Sequence, residues 1–216
     1  MKPFQYLLFA ILLVTLTNVR GAEIPPDQLV KTTIDEVLTI VEQDKAIQGG
    51  DRGKILALVE AKILPHFDFT RMTRLALGKY WRQATPEQQR TLEKEFRTLL
   101  VRSYTSAISP ETYSKYKGYS VAYLPLHMQP GDAEVTVRTR ISRPDAQPIP
   151  VDYDLAKAQD GWKVYDVAVD EVSLVINYRN SFAVIVRDQG IDGLIRVLAE
   201  KNRTENPAPA AAQQPK

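Results

Sequence analysis

The spacing of apolar residues changes twice along the chain, and this constrains the fold more than any other feature of its 216 residues. As far as residue 108, apolar residues recur every three or four positions, as an amphipathic helix requires. Between 120 and 169 they alternate with polar residues, which is typical of strands with one buried face. The helical spacing then returns. Helices that precede and follow strands with one apolar face predict an α+β domain.

Four helices are predicted before the strands. The first runs from Pro26 to the Gly49–Gly50 pair, and the second covers 55–63. The third is short and is closed by Gly78, because a residue without a Cβ best adopts the left-handed C-cap conformation. The fourth begins with the capping box Thr85–Gln88 and ends at Ser109 and Pro110.

Four strands are predicted in the alternating region, and they cover 120–126, 134–142, 149–157 and 162–169. The first is an edge strand, since Pro125 cannot donate a ladder hydrogen bond. Asp160 and Gly161 form a tight turn between the last two. Sequential strands joined by short turns predict a four-stranded antiparallel sheet. Its apolar face is covered by the N-terminal helices and by two C-terminal ones, 173–189 and a last helix capped by Asp192.

Both ends of the chain are expected to lie outside the folded domain. Residues 1–22 combine Lys2, an apolar run and a small polar segment, which indicates a secretory signal peptide. Cleavage is expected near Gly21 or Ala22, with Gly21 favoured; an uncleaved anchor is the alternative. Residues 204–216 are rich in Pro, Ala and Gln and are interpreted as a flexible tail. The binding domain is therefore 23–203, in an exported protein.

The charge balance excludes several classes of protein. The chain has 28 Lys and Arg against 26 Asp and Glu, and its leader holds two of those cations, so the remainder is neutral. Nucleic-acid binding needs a basic excess, which is missing here. The absence of Cys excludes zinc fingers, disulfide scaffolds and thiol enzymes, and two His cannot make a three-His metal site.

Sequence motifs give no support for an enzyme. Tyr113 and Lys117 have the spacing of short-chain dehydrogenases, but no glycine-rich strand–turn–helix precedes them, so we interpret them as solvent-facing loop residues. His66 and Asp68 are too few to hold a metal, and we interpret them as polar residues at a helix boundary. The pattern favours a binding domain without catalytic residues, metal or cofactor. Whether the apolar face encloses a cavity or a filled core stays open at this point.

Several strings of the chain resemble a known family in their order and spacing. They are PHFDFTRMTRLALGKYW from Pro65, ATPEQQR from Ala84, EFRTLLVRSY from Glu95, GWKVYDV from Gly161, VSLVINYR from Val172 and GIDGLI from Gly190. Together they are similar to the MlaC family, also called the toluene-tolerance auxiliary family. The resemblance extends from about Pro25 to Lys201. Glu171 departs from it, since Gly is expected in the turn before Val172.

The resemblance implies a periplasmic carrier that shuttles phospholipid between the outer membrane and an inner-membrane ABC transporter, keeping the outer membrane asymmetric. The implied partners are phospholipid as cargo, the inner-membrane Mla transporter complex and the outer-membrane MlaA–porin complex; a monomer is expected. The implied fold is a cone like that of nuclear transport factors, whose twisted sheet backs a lipid pocket. The alternative is an exported interaction domain with a filled core and no lipid.

Apolar residues on the predicted strand and helix faces are the candidates for lipid binding. A carrier must cover almost all of two acyl chains, because exposing about 30 methylenes to water costs on the order of 25 kcal/mol. The candidate lipid-binding residues are Leu99, Tyr104, Val135, Val137, Val151, Tyr153, Leu155, Leu174, Tyr178 and Phe182. No cation is needed if the head group stays in water.

Overall fold

A five-stranded antiparallel sheet lies between N-terminal helices and one long C-terminal helix in the computed structural model, which describes residues 23–106, 108–116, 118–142 and 147–203. The predicted leader, the predicted tail and Lys117 lie outside the described residues. The helices are α1 Pro26–Gln43, α2 Lys45–Gln48, α3 Arg52–Lys62, α4 Phe69–Leu77, α5 Pro86–Ser106, α6 Pro110–Tyr116 and α7 Leu174–Arg203. Short 3-10 helices cover Leu64–His66 and Gly78–Gln83.

The helix boundaries predicted at Thr85–Gln88, Gly78 and Gly190 are confirmed. In the capping box, the Thr85 N–H donates to Gln88 Oε1 at 2.9 Å and the Gln88 N–H donates to Thr85 Oγ1 at 3.2 Å. Gly78 ends α4 with a φ of +56°, in the region that favours glycine. Gly190 interrupts α7 with a φ of +72°, so the two predicted C-terminal helices are the two arms of α7.

Two helix predictions are wrong in part. The first helix ends at Gln43 instead of Gly49, because the Asp44 carboxylate accepts hydrogen bonds from the Ala46 and Ile47 N–H groups and starts α2. Tyr113 lies on the short helix α6 and not in a loop. Pro110 begins α6, which is a position where its missing N–H costs nothing.

The strands are β1 Ser120–Tyr123, β2 Glu134–Ser142, β3 Ile149–Ala158, β4 Gly161–Val169 and β5 Val172–Ser173, and they pair in that order. The α+β class and the antiparallel meander are confirmed, with β1 at the sheet edge. The prediction of four strands is wrong, since β5 adds a fifth. β5 is only two residues long, and it directly precedes α7, so its alternation was too short to be recognised.

A β-bulge changes which residues of β4 face the helices. Leu155 of β3 lies opposite Val164, but Tyr153 lies opposite Val167, so the register shifts by one residue between them. Without this shift, strict alternation from Val164 would place Asp166 on the apolar face. The bulge places Val167 there instead, in line with Tyr153.

Asp166, displaced by the bulge, fixes the start of α7. Its Oδ1 accepts hydrogen bonds from the Val167 N–H at 2.8 Å and the Val175 N–H at 3.0 Å, while the Ser173 hydroxyl donates to Oδ2. These bonds satisfy an N–H group that the first turn of a helix leaves without a partner. The Asp166 carboxylate therefore connects the bulged part of β4 to the first turn of α7.

Most of the buried apolar side chains belong to two clusters. The helix cluster joins α4, α5 and α7 and includes Met72, Phe96 and Phe182. The sheet cluster joins α1 to the apolar face of β2–β4 and includes Val137 and Leu155. Phe67 packs against both clusters, held by a parallel bridge to Val164.

Glu171 is the most strained residue of the β4–β5 turn. Asp170 and Glu171 have φ values of +51° and +65°, as a two-residue hairpin turn with both residues left-handed requires. Asp tolerates this conformation because of its short polar side chain, whereas Glu does not. This is the position at which the family resemblance leads us to expect Gly.

We expect Glu171→Gly to stabilise the protein. The left-handed conformation costs a non-Gly residue about 1 to 2 kcal/mol, and the greater freedom of Gly in the unfolded chain offsets about 0.5 to 1 kcal/mol of the gain. We therefore expect a net increase in unfolding free energy of up to about 1.5 kcal/mol, which urea denaturation would measure. Glu171→Ala is the matched control, since it removes the carboxylate but keeps the Cβ. An equal gain from both variants would contradict the backbone explanation.

Candidate functional site

A cavity of about 530 Å³ lies between the apolar face of the sheet and the helices. The described residues that line it are Val59, Ile63, Leu64, Phe67, Phe69, Met72, Leu100, Val101, Tyr104, Thr105, Ile108, Tyr153, Val167, Val169, Asp170, Val172, Ser173, Leu174 and Asn177. Most of these side chains are aliphatic or aromatic. The volume lies within the range of about 300 to 1,000 Å³ that is usual for small-molecule sites.

The cavity is closed at one end and open at the other. Met72 and Leu100 are only 1% and 5% exposed and also belong to the helix cluster, so they form its floor. Tyr104 and Val169 are 41% and 45% exposed and stand at its mouth. α5 therefore contributes to both ends, with Leu100 at the floor and Tyr104 one turn nearer the mouth.

The wall opposite α5 comes from the sheet and from the segment before α4. The bulge in β4 places Val167 next to Tyr153 on this wall. The Asp68 N–H donates to the Val164 carbonyl at 2.9 Å, and the Asp68 carboxylate accepts from the Arg71 N–H and caps α4. Phe67 is thereby held at the boundary between sheet and helices, where its ring lines the cavity.

The cavity carries little charge. Among the described lining residues, Asp170 is the only Asp, Glu, Lys, Arg or His. It lies in the turn at the mouth of the cavity. Burial raises the pKa of the Tyr153 and Tyr104 hydroxyls, which are therefore neutral across the physiological range. The described walls can accept a long apolar group, and none of their residues offers a cation to a phosphate.

A polar contact beside the cavity fastens α4 to the sheet. Arg71 NH2 lies 2.7 Å from Glu134 Oε1, and the Arg71 guanidinium stacks 3.7 Å from the centre of the Tyr165 ring. The Tyr165 hydroxyl donates to Glu134 Oε2 at 3.1 Å. The hydrogen bond from Arg71 holds the pKa of Glu134 below its ordinary value of 4.5. We call this group the α4–sheet latch.

Three of the residues predicted to bind lipid lie on the cavity wall, namely Tyr104, Tyr153 and Leu174. The other predicted residues are buried elsewhere. Leu99, Tyr178 and Phe182 belong to the helix cluster, where the two aromatic rings pack against Phe96. Val135, Val137 and Leu155 belong to the sheet cluster, and Val151 is buried on β3 opposite Val169. Lipid contact by all ten stays a prediction.

Several lining residues were missed at the sequence level. Phe67, Phe69 and Met72 stand in a stretch whose spacing indicated a short helix but not which face it buries. Val167 and Val169 were missed because strict alternation was assumed along β4. A signal for them exists, since the buried residues Trp162 and Val164 are followed by Val167 after three positions instead of two.

Two further structural findings concern the described ranges only. No helix in the described part of the chain combines the length and apolarity needed to cross a membrane. Over the same residues, no three acidic or histidine side chains come together in a way that could hold a metal ion.

Comparison with known proteins identifies the family. The model of the MlaC protein family matches residues 31–200, so this chain belongs to the MlaC family. The intermembrane phospholipid transport system binding protein MlaC of Haemophilus influenzae is 24% identical over 198 residues, which cover 90% of each chain. The toluene tolerance protein ttg2D of Pseudomonas putida is 26% identical over 114 residues, which cover 53% of this chain and 50% of that protein.

A solved structure shares the fold. The phospholipid-binding protein of Ralstonia solanacearum, determined in complex with a phospholipid, is 36% identical and superposes with a TM-score of 0.72. The match covers 82% of this chain and 96% of that one. The resemblance noted in the sequence is confirmed at the level of the family and of the fold.

The α4–sheet latch makes stability depend on pH. Since the folded-state pKa of Glu134 is lowered, its contribution is present above pH 4.5 and is lost as the pH falls through the folded-state value. The Glu134 side chain is 55% exposed, so we expect solvent screening to keep this contribution below about 1 kcal/mol. Glu134→Gln should therefore unfold at a slightly lower urea concentration at pH 7 and lose less stability between pH 5 and pH 3.

A double-mutant cycle provides the control for this prediction. Arg71→Gln removes the main partner and leaves only the Tyr165 hydroxyl, so adding Glu134→Gln in that background should change the pH profile much less than it does in the wild type. An identical effect of Glu134→Gln with and without Arg71 would show that the ion pair is not the cause.

Proposed function

We propose that this protein is a periplasmic phospholipid carrier that holds acyl chains in the cavity between sheet and helices. The observation that carries the proposal is the cavity itself, which is apolar along its length and closed at its floor by Met72 and Leu100. A filled core, as in the alternative of a pure interaction domain, would leave no such space. The Ralstonia protein of the same fold, which was solved with a phospholipid, supports the assignment.

The energetics of lipid transfer fit such a site. An acyl chain in water costs about 0.8 kcal/mol for each exposed methylene, so a carrier must surround its cargo with apolar atoms. It must not bind much more tightly than a bilayer, or it could not release the lipid. A wall of Val, Leu, Phe and Met side chains offers the lipid an environment similar to that of the bilayer.

The mouth of the cavity is suited to leaving the head group in water. Tyr104, Val169 and Val172 are partly exposed there and can contact the upper part of the chains. Asp170, a carboxylate, gives no favourable contact to a phosphate. Specificity for the head group is therefore not required for retention, and burial of the chains provides the binding free energy.

Membership of the MlaC family supports a proposal for the place of this carrier in the cell. We propose that it is exported by the leader at 1–22 and moves phospholipid between the outer membrane and an inner-membrane ABC transporter. Its partners would be the Mla transporter complex and the MlaA–porin complex, which it would meet as a monomer. The names of the Haemophilus and Pseudomonas relatives support a role in intermembrane transport and toluene tolerance.

Native mass spectrometry tests lipid binding directly. Protein purified from the periplasm of cells, or mixed with phosphatidylethanolamine vesicles after delipidation, should carry the mass of a diacyl phospholipid. Bound lipid should also raise the unfolding temperature, because it binds only the folded state. Protein that has no lipid after purification and gains none from vesicles would rule out the carrier.

A tryptophan placed in the cavity should displace the cargo. Val167→Trp fills the space next to Tyr153, and we expect at least a tenfold loss of bound lipid while the protein stays folded. Val184→Trp makes the same change on an exposed position of α7 outside the cavity lining and is the matched control. An equal lipid load in both variants and in the wild type would place the lipid elsewhere.

A further inference from the structure

The depth of the cavity is short compared with a common acyl chain. From Leu100 at the floor to Thr105, the last lining residue on α5, the helix advances about 7.5 Å at 1.5 Å per residue. An extended chain of single bonds advances about 1.2 Å per bond, as the three backbone bonds of an extended residue span about 3.5 Å. About six methylenes therefore fit along this stretch of the cavity. A longer chain must fold back or displace the floor.

Met72 is the residue of the floor whose side chain can most easily change conformation. It is unbranched, and a thioether side chain changes rotamer at low cost and fills irregular space. Its neighbour at the floor, Leu100, is branched and packs in the same cluster. Met72, like Leu100, lines the cavity and also belongs to the helix cluster.

The stripe of α4 that contains Met72 leads from the cavity into the core. Phe69 lies one turn nearer the cavity wall and is partly buried, whereas Ala76 lies one turn further on and is fully buried. Residues spaced by three or four positions share a helix face. Ala76 presents only a methyl group, so Met72 is the larger of the two side chains that follow Phe69 on this face of α4.

We infer that Met72 sets the length of acyl chain that the site accepts, acting as a movable floor. This inference rests on the proposed function and adds a substrate preference to it. Phospholipids whose chains end at the Met72 thioether are held with the core undisturbed. Longer chains are accepted only if the Met72 side chain changes rotamer and makes room for them.

Substitution at Met72 should change the length of the bound acyl chains in a predictable direction. Met72→Ala removes the side chain beyond Cβ, and we expect the mean length of bound chains to increase by about three carbons relative to wild type. Met72→Phe places a rigid ring at the floor and should shift the mean to shorter chains. Having two variants with opposite expected shifts keeps the test decisive if one of them folds poorly.

The experiment offers the delipidated protein vesicles with equal amounts of phosphatidylcholines that differ only in chain length, from dilauroyl to distearoyl. Native mass spectrometry then identifies the captured lipid. Met128→Ala is the matched control for the substitution, because Met128 is exposed and outside the cavity lining. Leu194→Ala controls for core destabilisation, since Leu194 is fully buried in the helix cluster but does not line the cavity.

The possible outcomes separate this inference from the carrier function. Opposite shifts in the two Met72 variants, with none in the controls, support it. Normal lipid capture with unchanged chain lengths in both Met72 variants overturns it and leaves the carrier function intact. Equal shifts in Leu194→Ala would attribute the effect to a loosened core and also overturn it. A wild-type protein that captures no lipid would overturn the carrier function and this inference with it.

Discussion

The helices and the sheet bury their apolar side chains in two separate clusters, and the rest of the structure depends on the space left between them. Protein interiors are normally packed to the density of organic crystals. Here Met72 and Leu100 belong to one cluster, Phe67 contacts both, and a cavity lies where the clusters do not meet. Lining atoms of an unfilled space lose dispersion contacts, so such a gap persists only if the surrounding elements are fixed elsewhere.

Polar contacts around the cavity provide that fixation. The Arg71–Glu134 pair ties α4 to the sheet, and Asp166 ties the bulged strand β4 to the first turn of α7. The Phe67–Val164 bridge joins the segment before α4 to the same strand. Each contact joins a helix, or the segment before one, to the sheet.

Much of the fold could be predicted because its signals are local. The capping box at Thr85–Gln88, the left-handed glycine at position 78 and the alternation along β2 depend on residues close in sequence. The cavity depends on how two layers meet, and periodicity indicates only which face of an element is buried. Phe182 and Tyr153 were both predicted as apolar wall residues, yet Phe182 packs in the helix cluster and Tyr153 lines the cavity. The change of spacing after Val164 was the one local signal for the wall, since it marks the bulge.

Locating bound acyl chains between the two clusters would test the proposed carrier function most directly. The methyl groups of the protein would be labelled with ¹³C, and the protein would be loaded with a phospholipid. Nuclear Overhauser effects would then be measured between the acyl methylenes of the lipid and the side-chain methyls of the protein. We predict such effects at Met72, Leu100 and Val167, which line the cavity. We predict none at Leu194 or Leu198, which are buried in the helix cluster and do not line it. Effects confined to exposed methyls such as those of Val184, with none at the cavity residues, would contradict the proposed carrier function.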